Sequence, residues 1–293
     1  MNDKEINSDQ IGVKNKKANF KNSEIVEWIR ETVHEAGFSK VVIGLSGGVD
    51  SALSATLATK ALGKENVYPI LLPYKNLHSQ SITDAMAVVD FLGIPKENVT
   101  TIDIKNSVDA IRTNVILERQ NVSIGSKYNS EDSIASLQND TVRKGNIMAR
   151  VRMIYLFDTA KKLGALVCGT ENKTEHYLGY FTRFGDEASD IEPIRSLYKT
   201  QVWEMAKNLG VPDRIINKAP TAGLWEGQTD EGEFGFLYED ADRVLALFID
   251  QKLTPQQIVQ KGVSKTIVEK ILERVKQNNF KHDLPHINNP IIQ

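Results

Sequence analysis

The chain has 293 residues, a formal net charge of −2 at pH 7 and 41% hydrophobic residues. This near-neutral balance gives no electrostatic case for binding nucleic acid or a membrane surface. No apolar run in the sequence reaches the roughly 20 residues of a membrane span, and the polar N-terminus has no apolar signal segment, so we expect a cytoplasmic protein. Cys168 is the only cysteine, which excludes an internal disulfide, and its apolar neighbours predict a buried thiol without a reactive role.

Strand and helix patterns alternate along most of the chain. Residues 1–20 are polar, and we expect a flexible segment there, followed by a single domain over residues 21–293. Short apolar, β-branched runs predict strands at residues 41–43, 67–74, 99–104 and 165–170. Amphipathic runs predict helices at residues 23–36, 51–62, 81–92, 107–119, 142–163, 199–209, 238–249, 255–261 and 264–278.

The alternation predicts an α/β fold with a doubly wound, Rossmann-like parallel sheet and a helical C-terminal part. The stretches 120–140, 187–197 and 218–235 lack periodicity and are predicted to be irregular, the first as a surface loop. Ligands of parallel sheets bind at the carboxyl ends of the strands. Ser46 and Thr170 both fall at the ends of predicted strands, so we expect both to face one site.

The stretch 41–51 is the most informative in the sequence. An apolar strand runs through Ser-Gly-Gly-Val-Asp-Ser, residues 46–51, into a helix. A glycine-containing turn of this kind aims backbone N–H groups and the positive end of a helix dipole at one point, which favours a phosphate. Asp50 beside phosphates needs a cation between them, which indicates Mg²⁺. The motif is neither a Walker A loop nor a G-x-G-x-x-G pattern; the alternative is an ordinary strand–turn–helix with a cap.

Two arginines and one glutamate further along the chain suit ligand binding. Arg143 and Arg150 are seven residues apart in a predicted helix and share a face, either as an anion site or as a solvated basic surface. Glu175 lies shortly after Thr170, either as a second Mg²⁺ ligand with Asp50 or as an exposed helical glutamate.

The stretch 180–186 combines aromatic and charged side chains, which suits stacking on a base and reading its polar edge. A folded-in loop held by a salt bridge explains it equally well. The five histidines form no ligand cluster in the sequence: His282 and His286 are four apart, but Pro285 between them argues against a helix, so we expect no zinc site.

Taken in order, several stretches closely resemble the ammonia-dependent NAD synthetases, ATP pyrophosphatases of the adenine nucleotide alpha hydrolase type. The matching stretches are 46–51, 145–153, 169–175, 179–186, 190–194, 197–201 and 220–231, within a resemblance that covers roughly residues 23–290. It implies a ligase that adenylates the carboxylate of deamido-NAD with ATP, releases pyrophosphate, and amidates the adenylate with ammonia to give NAD and AMP. It also implies a homodimer with the dinucleotide bound across the interface.

The same resemblance implies residue roles. ATP would bind Gly44, Leu45, Ser46, Gly47, Gly48, Val49, Asp50, Ser51, Thr170, Lys199 and Thr221. Asp50, Ser46 and Lys199 would take part in catalysis, and Asp50 and Glu175 would bind Mg²⁺. Deamido-NAD would contact Arg150, Arg183, Asp190 and Lys281. The segment 222–231 would be a mobile loop that closes over the site and excludes water from the adenylate.

Two positions depart from the family pattern. Many members have histidine before the lysine that matches Lys281, whereas this chain has Phe280, and many have lysine at the position of Arg183. Phenylalanine cannot donate a hydrogen bond, so the contacts to deamido-NAD differ there. The sequence has no amidohydrolase stretch with a catalytic cysteine, so we expect free ammonia, or a separate glutaminase subunit, to supply the nitrogen.

The stretch 46–51, called the pyrophosphate loop below, is by itself also compatible with two other functions. One is another adenylating pyrophosphatase, GMP synthetase-like or tRNA-modifying, although thiolating tRNA enzymes need further cysteines and RNA binding needs a basic surface. The other is a non-catalytic ATP-binding module, against which the presence of both Asp50 and Glu175 argues.

Overall fold

A parallel sheet of four strands lies at the centre of the structure. The computed structural model describes residues 22–75, 79–112, 130–225 and 227–282; the segment 1–20 lies outside them. Strands β1 (Val41–Gly44), β2 (Val67–Leu71), β3 (Thr100–Thr101) and β4 (Leu166–Cys168) are ordered β3-β2-β1-β4. Every pairing is parallel, with Val41 opposite both Val67 and Leu166. The predicted doubly wound α/β fold is therefore confirmed.

The strand that follows β3 in the chain, β4, lies on the opposite side of β1. Strands β2 and β3 are added on one side of β1, and β4 is then added on the other side. Between β1 and β4 the sheet therefore has a topological switch point, where the following loops diverge and leave a crevice for a ligand. Ser46 and Thr170 both line the cavity at this edge, as predicted.

Helices cover both faces of the sheet. In chain order they are α1 (Asn22–Glu35), α2 (Val49–Leu62), α3 (Ser79–Leu92), α4 (residues 105–112, where a described stretch ends), α5 (Ser130–Leu163), α6 (Lys173–Leu178), α7 (Lys199–Asn208), α8 (Asp213–Ile216), α9 (Asp230–Phe234), α10 (Tyr238–Leu245), α11 (Pro255–Gln260) and α12 (Lys265–Asn278). A π-helical turn (Ala246–Asp250) follows α10, and 3₁₀ turns occupy Lys64–Asn66, Lys96–Asn98 and Asn279–Lys281. None of the described helices is long and apolar enough to cross a membrane.

Alternate residues of the strands face two different hydrophobic layers. Val41 and Ile43 belong to a core shared with α1, α2, α3 and α7, whereas Val42 and Ile70 pack with α5 on the opposite face. A further cluster, built mostly from α10, α11 and α12, forms the predicted helical C-terminal part and packs on α6. Burial on both faces explains why β1, β2 and β4 are almost entirely apolar, whereas the edge strand β3 is exposed and consists of two threonines.

The predicted surface loop at 120–140 is wrong in its second half. Residues 130–140 belong to α5, which begins at Ser130 and not near Val142; residues 120–129 lie outside the described residues. Neither proline nor glycine occurs between Ser130 and Lys144, so the helix extends backwards from its packed half, since propagation costs less than nucleation.

Three further boundaries differ from the prediction. The segment 218–235 contains a short helix, α9, which Thr229 caps by accepting the N–H of Gly232. At the sheet edge, β3 pairs over two residues rather than over the predicted 99–104. Helix α2 begins at Val49, so Asp50 lies in its first turn and not in the loop before it.

Gly47 fixes how α3 packs against the loop after β1. Its φ is +75°, and an added Cβ would lie 2.6 Å from the carbonyl oxygen of Ser81 and 2.8 Å from Cβ of Asp84. Only glycine combines this left-handed conformation with so close an approach. The turn therefore holds the first half of α3 against the loop 45–51.

Gly47→Ala should lower the free energy of unfolding more than Gly164→Ala does. Gly164 also has a positive φ, +61°, but no atom lies within 4 Å of its added Cβ. Gly164→Ala should therefore lower the free energy of unfolding by about 1–2 kcal/mol, the cost of placing alanine in the left-handed conformation. Urea unfolding measures both variants. Equal losses would contradict the close packing of Gly47 on α3.

Candidate active site

The loop 45–51 is held in shape by its own two serines. The Ser46 hydroxyl lies 3.0 Å from the Ser51 hydroxyl and accepts the N–H of Gly48 at 3.2 Å. The Ser51 hydroxyl donates to the Gly48 carbonyl at 3.1 Å. Helix α2 begins at this point without a side-chain cap, which leaves the N–H groups of its first turn available for an anion.

A cavity of about 420 Å³ opens at the carboxyl ends of β1 and β4. Most of the predicted site residues line it: Gly44, Leu45, Ser46, Gly48, Val49, Asp50, Ser51, Thr170, Glu175, Lys199, Thr221 and Lys281. One face of α5 forms another wall, through Val142, Asn146, Ala149, Met153 and Leu156. The segment 218–225 forms a third. The strand ends, α5 and this segment thus surround one space.

Lys199 joins the two acids that were predicted to bind a metal. It is 1% exposed, and its Nζ lies 2.6 Å from Asp50 Oδ2 and 3.3 Å from Glu175 Oε1. The buried side chain of Asn172 donates to Asp50 Oδ1 at 2.9 Å. Groups from α2, α6 and α7 therefore meet at one ammonium.

The acids around Lys199 outnumber its single charge. Burial raises the pKa of Glu175 to about 8, with further upward contributions from Asp50 and Asp230. Burial also raises the pKa of Asp230. Although burial alone would lower the pKa of Lys199, Asp50 and Glu175 outweigh that effect and raise it. The site thus holds an ammonium but remains short of positive charge.

The donor set at this position fits a hard divalent cation. Mg²⁺ prefers carboxylate and phosphate oxygens, and both Asp50 and Glu175 lie on the cavity wall. A bound cation would also offset the excess of carboxylate. Across the described residues no group of three or more His, Cys, Asp or Glu side chains could hold a metal.

Known proteins resemble this chain over most of its length. The family model described as NAD synthase matches residues 21–285. The chain belongs to the NAD synthase family. The NH(3)-dependent NAD(+) synthetase of Fusobacterium nucleatum is 43% identical over 265 residues, which are 90% of this chain and 93% of that protein.

Two solved structures extend the likeness to the fold. The structure of NMN synthetase from Francisella tularensis is 34% identical, with a TM-score of 0.74, over 92% of this chain and 97% of that one. The NH3-dependent NAD synthetase from Campylobacter jejuni, in complex with the nitrate ion, is 28% identical, with a TM-score of 0.70, over the same shares of the two chains.

The residues of this NAD synthase that were predicted to bind deamido-NAD lie in more than one place. Lys281 is on the cavity wall, where its Nζ donates to the carbonyl of Phe181 at 3.0 Å. Arg150 is exposed on α5, and its Nε donates to the carbonyl of Arg183 at 3.1 Å. Arg150, Arg183 and Asp190 are not among the described residues that line the cavity. Their contact with the dinucleotide stays a prediction.

Asp190 and Phe280 have local partners. Asp190 Oδ2 accepts the backbone N–H of Val167 at 2.7 Å, which ties the segment after α6 to β4. The guanidinium of Arg183 lies 5.5 Å from the centre of the Phe280 ring. Where many family members have a hydrogen-bonding histidine, this chain therefore has a cation–π contact.

Sequence reasoning missed Asn172. The pattern Asn172-x-x-Glu175 is a capping box, and the structure contains both of its hydrogen bonds at the start of α6. That signal is visible in the sequence. The second role of Asn172, its bond to Asp50, joins residues 122 positions apart, and no local pattern predicts it.

Asp230 was missed as well, although it lies on the cavity wall. Its carboxylate accepts hydrogen bonds from the hydroxyls of Tyr180 at 3.0 Å and Tyr238 at 2.9 Å. It also accepts the backbone N–H of Ala222 at 3.0 Å, and its own N–H donates to the Pro220 carbonyl at 3.1 Å. One acid thus anchors the segment 220–228 beside Lys199.

Lys199→Met should destabilise the fold by about 3–5 kcal/mol, because it leaves two carboxylates without their ammonium. The loss depends on pH. In the folded wild type the pKa of Glu175 is about 8 although Lys199 lowers it, so removal of Lys199 raises this pKa further. Below pH 8 Glu175 is protonated in both folded proteins, and the deficit should stay constant. As the pH rises above 8, Glu175 ionises in the wild type before it does so in the variant, so the deficit should grow.

Urea unfolding of wild type and variant at several pH values measures this deficit. Lys270→Met is the matched control, because Lys270 is exposed and its Nζ donates to the Gly235 carbonyl at 2.9 Å. A deficit equal to that of the control, or one that does not change with pH, would show that the buried ion pair does not hold the site together.

Proposed function

We propose that this chain catalyses the ATP-dependent amidation of deamido-NAD by ammonia, with NAD, AMP and pyrophosphate as products. One observation carries the proposal: in a member of the NAD synthase family, Asp50, Glu175 and Lys199 meet beside an uncapped helix N-terminus. This combination of N–H donors, an ammonium and carboxylates for a cation suits chemistry on a polyphosphate.

ATP binds, in this proposal, with its phosphates at the loop 46–51 and the first turn of α2. The N–H groups there point at a fixed position and stabilise charge on the phosphate oxygens without rearranging. Thr170 and Thr221 line the same cavity and supply hydroxyl groups to the nucleotide.

Asp50 and Glu175 are the residues that would hold Mg²⁺, and the ion would supply Lewis-acid stabilisation of the charge on the departing pyrophosphate. Lys199 holds the two carboxylates together, since both accept from its ammonium. Asn172 fixes the other oxygen of Asp50, so both acids are oriented before substrate binds.

The reaction then needs no protein nucleophile. The carboxylate of deamido-NAD attacks the α-phosphorus of ATP and pyrophosphate leaves; ammonia attacks the acyl carbon of the adenylate and AMP leaves. Cys168 is 2% exposed, and burial raises the pKa of its thiol, so the only cysteine of the sequence offers no thiolate for glutamine hydrolysis. Free ammonia, or ammonia from a separate glutaminase subunit, is the nitrogen source.

The segment 220–228 shelters the adenylate from water. Its residues 220–225 line the cavity, and it is anchored to Asp230 at one end. At the other side it presses on α5, since a Cβ added to Gly145 would lie 2.8 Å from Leu224. Exclusion of water matters here because an acyl-adenylate hydrolyses readily.

A homodimer is supported by the outer face of α5. Arg143, Ile147, Arg150 and Ile154 follow one another at helical spacing and share that face, and Ile154 is 57% exposed. The neighbouring face of the same helix lines the cavity, so a second copy packed there would reach the edge of the site. Analytical ultracentrifugation tests this, and a monomer at micromolar concentration would overturn it.

A second acceptor is suggested by the likeness to the NMN synthetase of Francisella tularensis. Deamido-NMN carries the same nicotinate carboxylate as deamido-NAD but lacks the adenylyl half. Both acceptors need the same adenylation site, so the choice between them rests on groups outside the cavity wall, such as Arg150 and Arg183.

Purified protein given ATP, Mg²⁺, ammonium and deamido-NAD should form NAD, AMP and pyrophosphate in equal amounts, because adenylation and amidation are coupled on one acceptor. Chromatography of the nucleotides measures each product. Deamido-NMN offered in parallel separates the two acceptors through kcat/KM. Release of AMP without amidation of either acceptor would overturn the proposal.

In the same assay Asp50→Asn should lower kcat by about 10²-fold or more, the scale of losing one electrostatic stabiliser. Asp158→Asn, which removes an exposed carboxylate of α5, is the matched control and should keep full activity. Near-normal turnover by Asp50→Asn would remove this residue from the mechanism.

A further inference from the structure

A second lysine, Lys218, reaches the cavity from the side of α3. It follows α8 directly and lines the same cavity as Ser46 and Gly48. Its Nζ lies 2.9 Å from Asp84 Oδ2 and 3.4 Å from the Ser81 hydroxyl. An ammonium has three N–H donors, so one remains for a ligand in the cavity.

Asp84 holds this ammonium in place. Its side chain is 5% exposed, and Oδ1 accepts the Gln80 amide at 2.9 Å. Burial alone would raise the pKa of Asp84, but the hydrogen bonds from Lys218 and Gln80 outweigh it and lower the pKa below its ordinary value. The carboxylate is therefore charged and keeps Lys218 in one position.

This ion pair lies directly behind the pyrophosphate loop. A Cβ added to Gly47 would meet Cβ of Asp84 at 2.8 Å and the Ser81 carbonyl at 2.6 Å. The residues that hold the Lys218 ammonium are thus the residues on which the loop packs. The missing side chain at Gly47 lets Ser81 and Asp84, the two partners of the Lys218 ammonium, approach the loop this closely.

Lys199 and Lys218 differ in their charge balance. Lys199 is bonded to two carboxylates, Asp50 and Glu175, and therefore offers no net positive charge to a ligand. Around Lys218 a single carboxylate, Asp84, faces two cations: Lys218 at 2.9 Å and Arg214 at 3.6 Å. This group of three side chains carries a net positive charge.

We propose that Lys218 binds the terminal phosphates of ATP and holds the pyrophosphate as it leaves, with Asp84 as its positioning residue. The inference rests on the proposed use of ATP by this chain. The triphosphate then lies with one part at the carboxylates that take the cation and its distal part at Lys218. This arrangement places a fixed positive charge where negative charge accumulates when the α–β phosphate bond breaks.

Lys218→Met should raise both the KM for ATP and the inhibition constant of pyrophosphate by about 10-fold, the scale of a lost charge-assisted hydrogen bond. The KM values for deamido-NAD and ammonium should not change, because these substrates do not carry the leaving group. Lys218→Arg keeps the charge and should restore most of the pyrophosphate inhibition.

Arg214→Met is the matched control. Arg214 also faces Asp84, but it is not among the described residues that line the cavity. Its loss should lower the free energy of unfolding without changing inhibition by pyrophosphate. If both variants change stability alone, Lys218 is only a structural partner of Asp84 and the inference is overturned.

Calorimetric titration with magnesium pyrophosphate separates this inference from the proposed function, because it needs no acceptor. Weaker binding by Lys218→Met supports the inference even if deamido-NAD proves to be the wrong acceptor. Equal binding by wild type and a folded Lys218→Met variant overturns it. Should Lys218→Met fail to fold, Asp84→Asn takes its place. This variant keeps Lys218 but removes the carboxylate that holds its ammonium in position. Unchanged pyrophosphate binding by Asp84→Asn would also overturn the inference.

Discussion

The buried ammonium of Lys199 is the interaction on which the site depends. Removing a lysine from water is costly unless opposite charges and hydrogen bonds compensate it, and here the partners come from Asp50, 149 residues away, and Glu175, 24 residues away. The charge can therefore be buried only after α2, α6 and α7 have reached their final positions. Folding of the core and assembly of the site are one event.

The helical C-terminal part contributes to this assembly through the start of α7. The backbone N–H of Lys199 donates to the Thr174 hydroxyl at 2.9 Å, and Thr174 in turn donates to Asp242 of α10. The other carboxylate oxygen of Asp242 accepts the N–H of Thr200 at 2.8 Å. Asp242 thus caps the start of α7 from outside and sets the direction in which Lys199 leaves the helix.

The sequence predicts the parts of this site that are local. The loop 46–51 follows its strand and precedes its helix because glycines, hydroxyls and an apolar run specify that geometry within a dozen residues or so. The ion pair of Lys199 with Asp50 is different, since two distant segments decide it. Without the resemblance to a family, the spacing of Glu175 alone leaves an exposed helical glutamate equally acceptable.

The misplaced start of α5 has another cause. Residues 130–140 have no apolar stripe that would mark them as helical, and what makes them helical is the packed remainder of α5 against β1 and β4. Prediction from sequence patterns relies on the periodicity of apolar side chains. It therefore misses a stretch that is helical only because it continues a packed helix. Prediction from sequence patterns misses Asp230 for a related reason. An acidic residue in an irregular stretch has no distinguishing pattern, and only the tertiary structure brings Tyr180 and Tyr238 to it.

The hydrogen bond between Ala222 and Asp230 links the position of the segment 220–225 to the charge state of the site. The Ala222 N–H stabilises an ionised Asp230 more than a protonated one, so the observed position of the segment favours the charged carboxylate, and by reciprocity the charged carboxylate favours that position. Asp230 in turn lies within the field of Lys199. A cation that keeps these acids ionised will therefore also strengthen the hydrogen bond between Ala222 and Asp230. It stabilises the position of the segment 220–225 without contacting that segment.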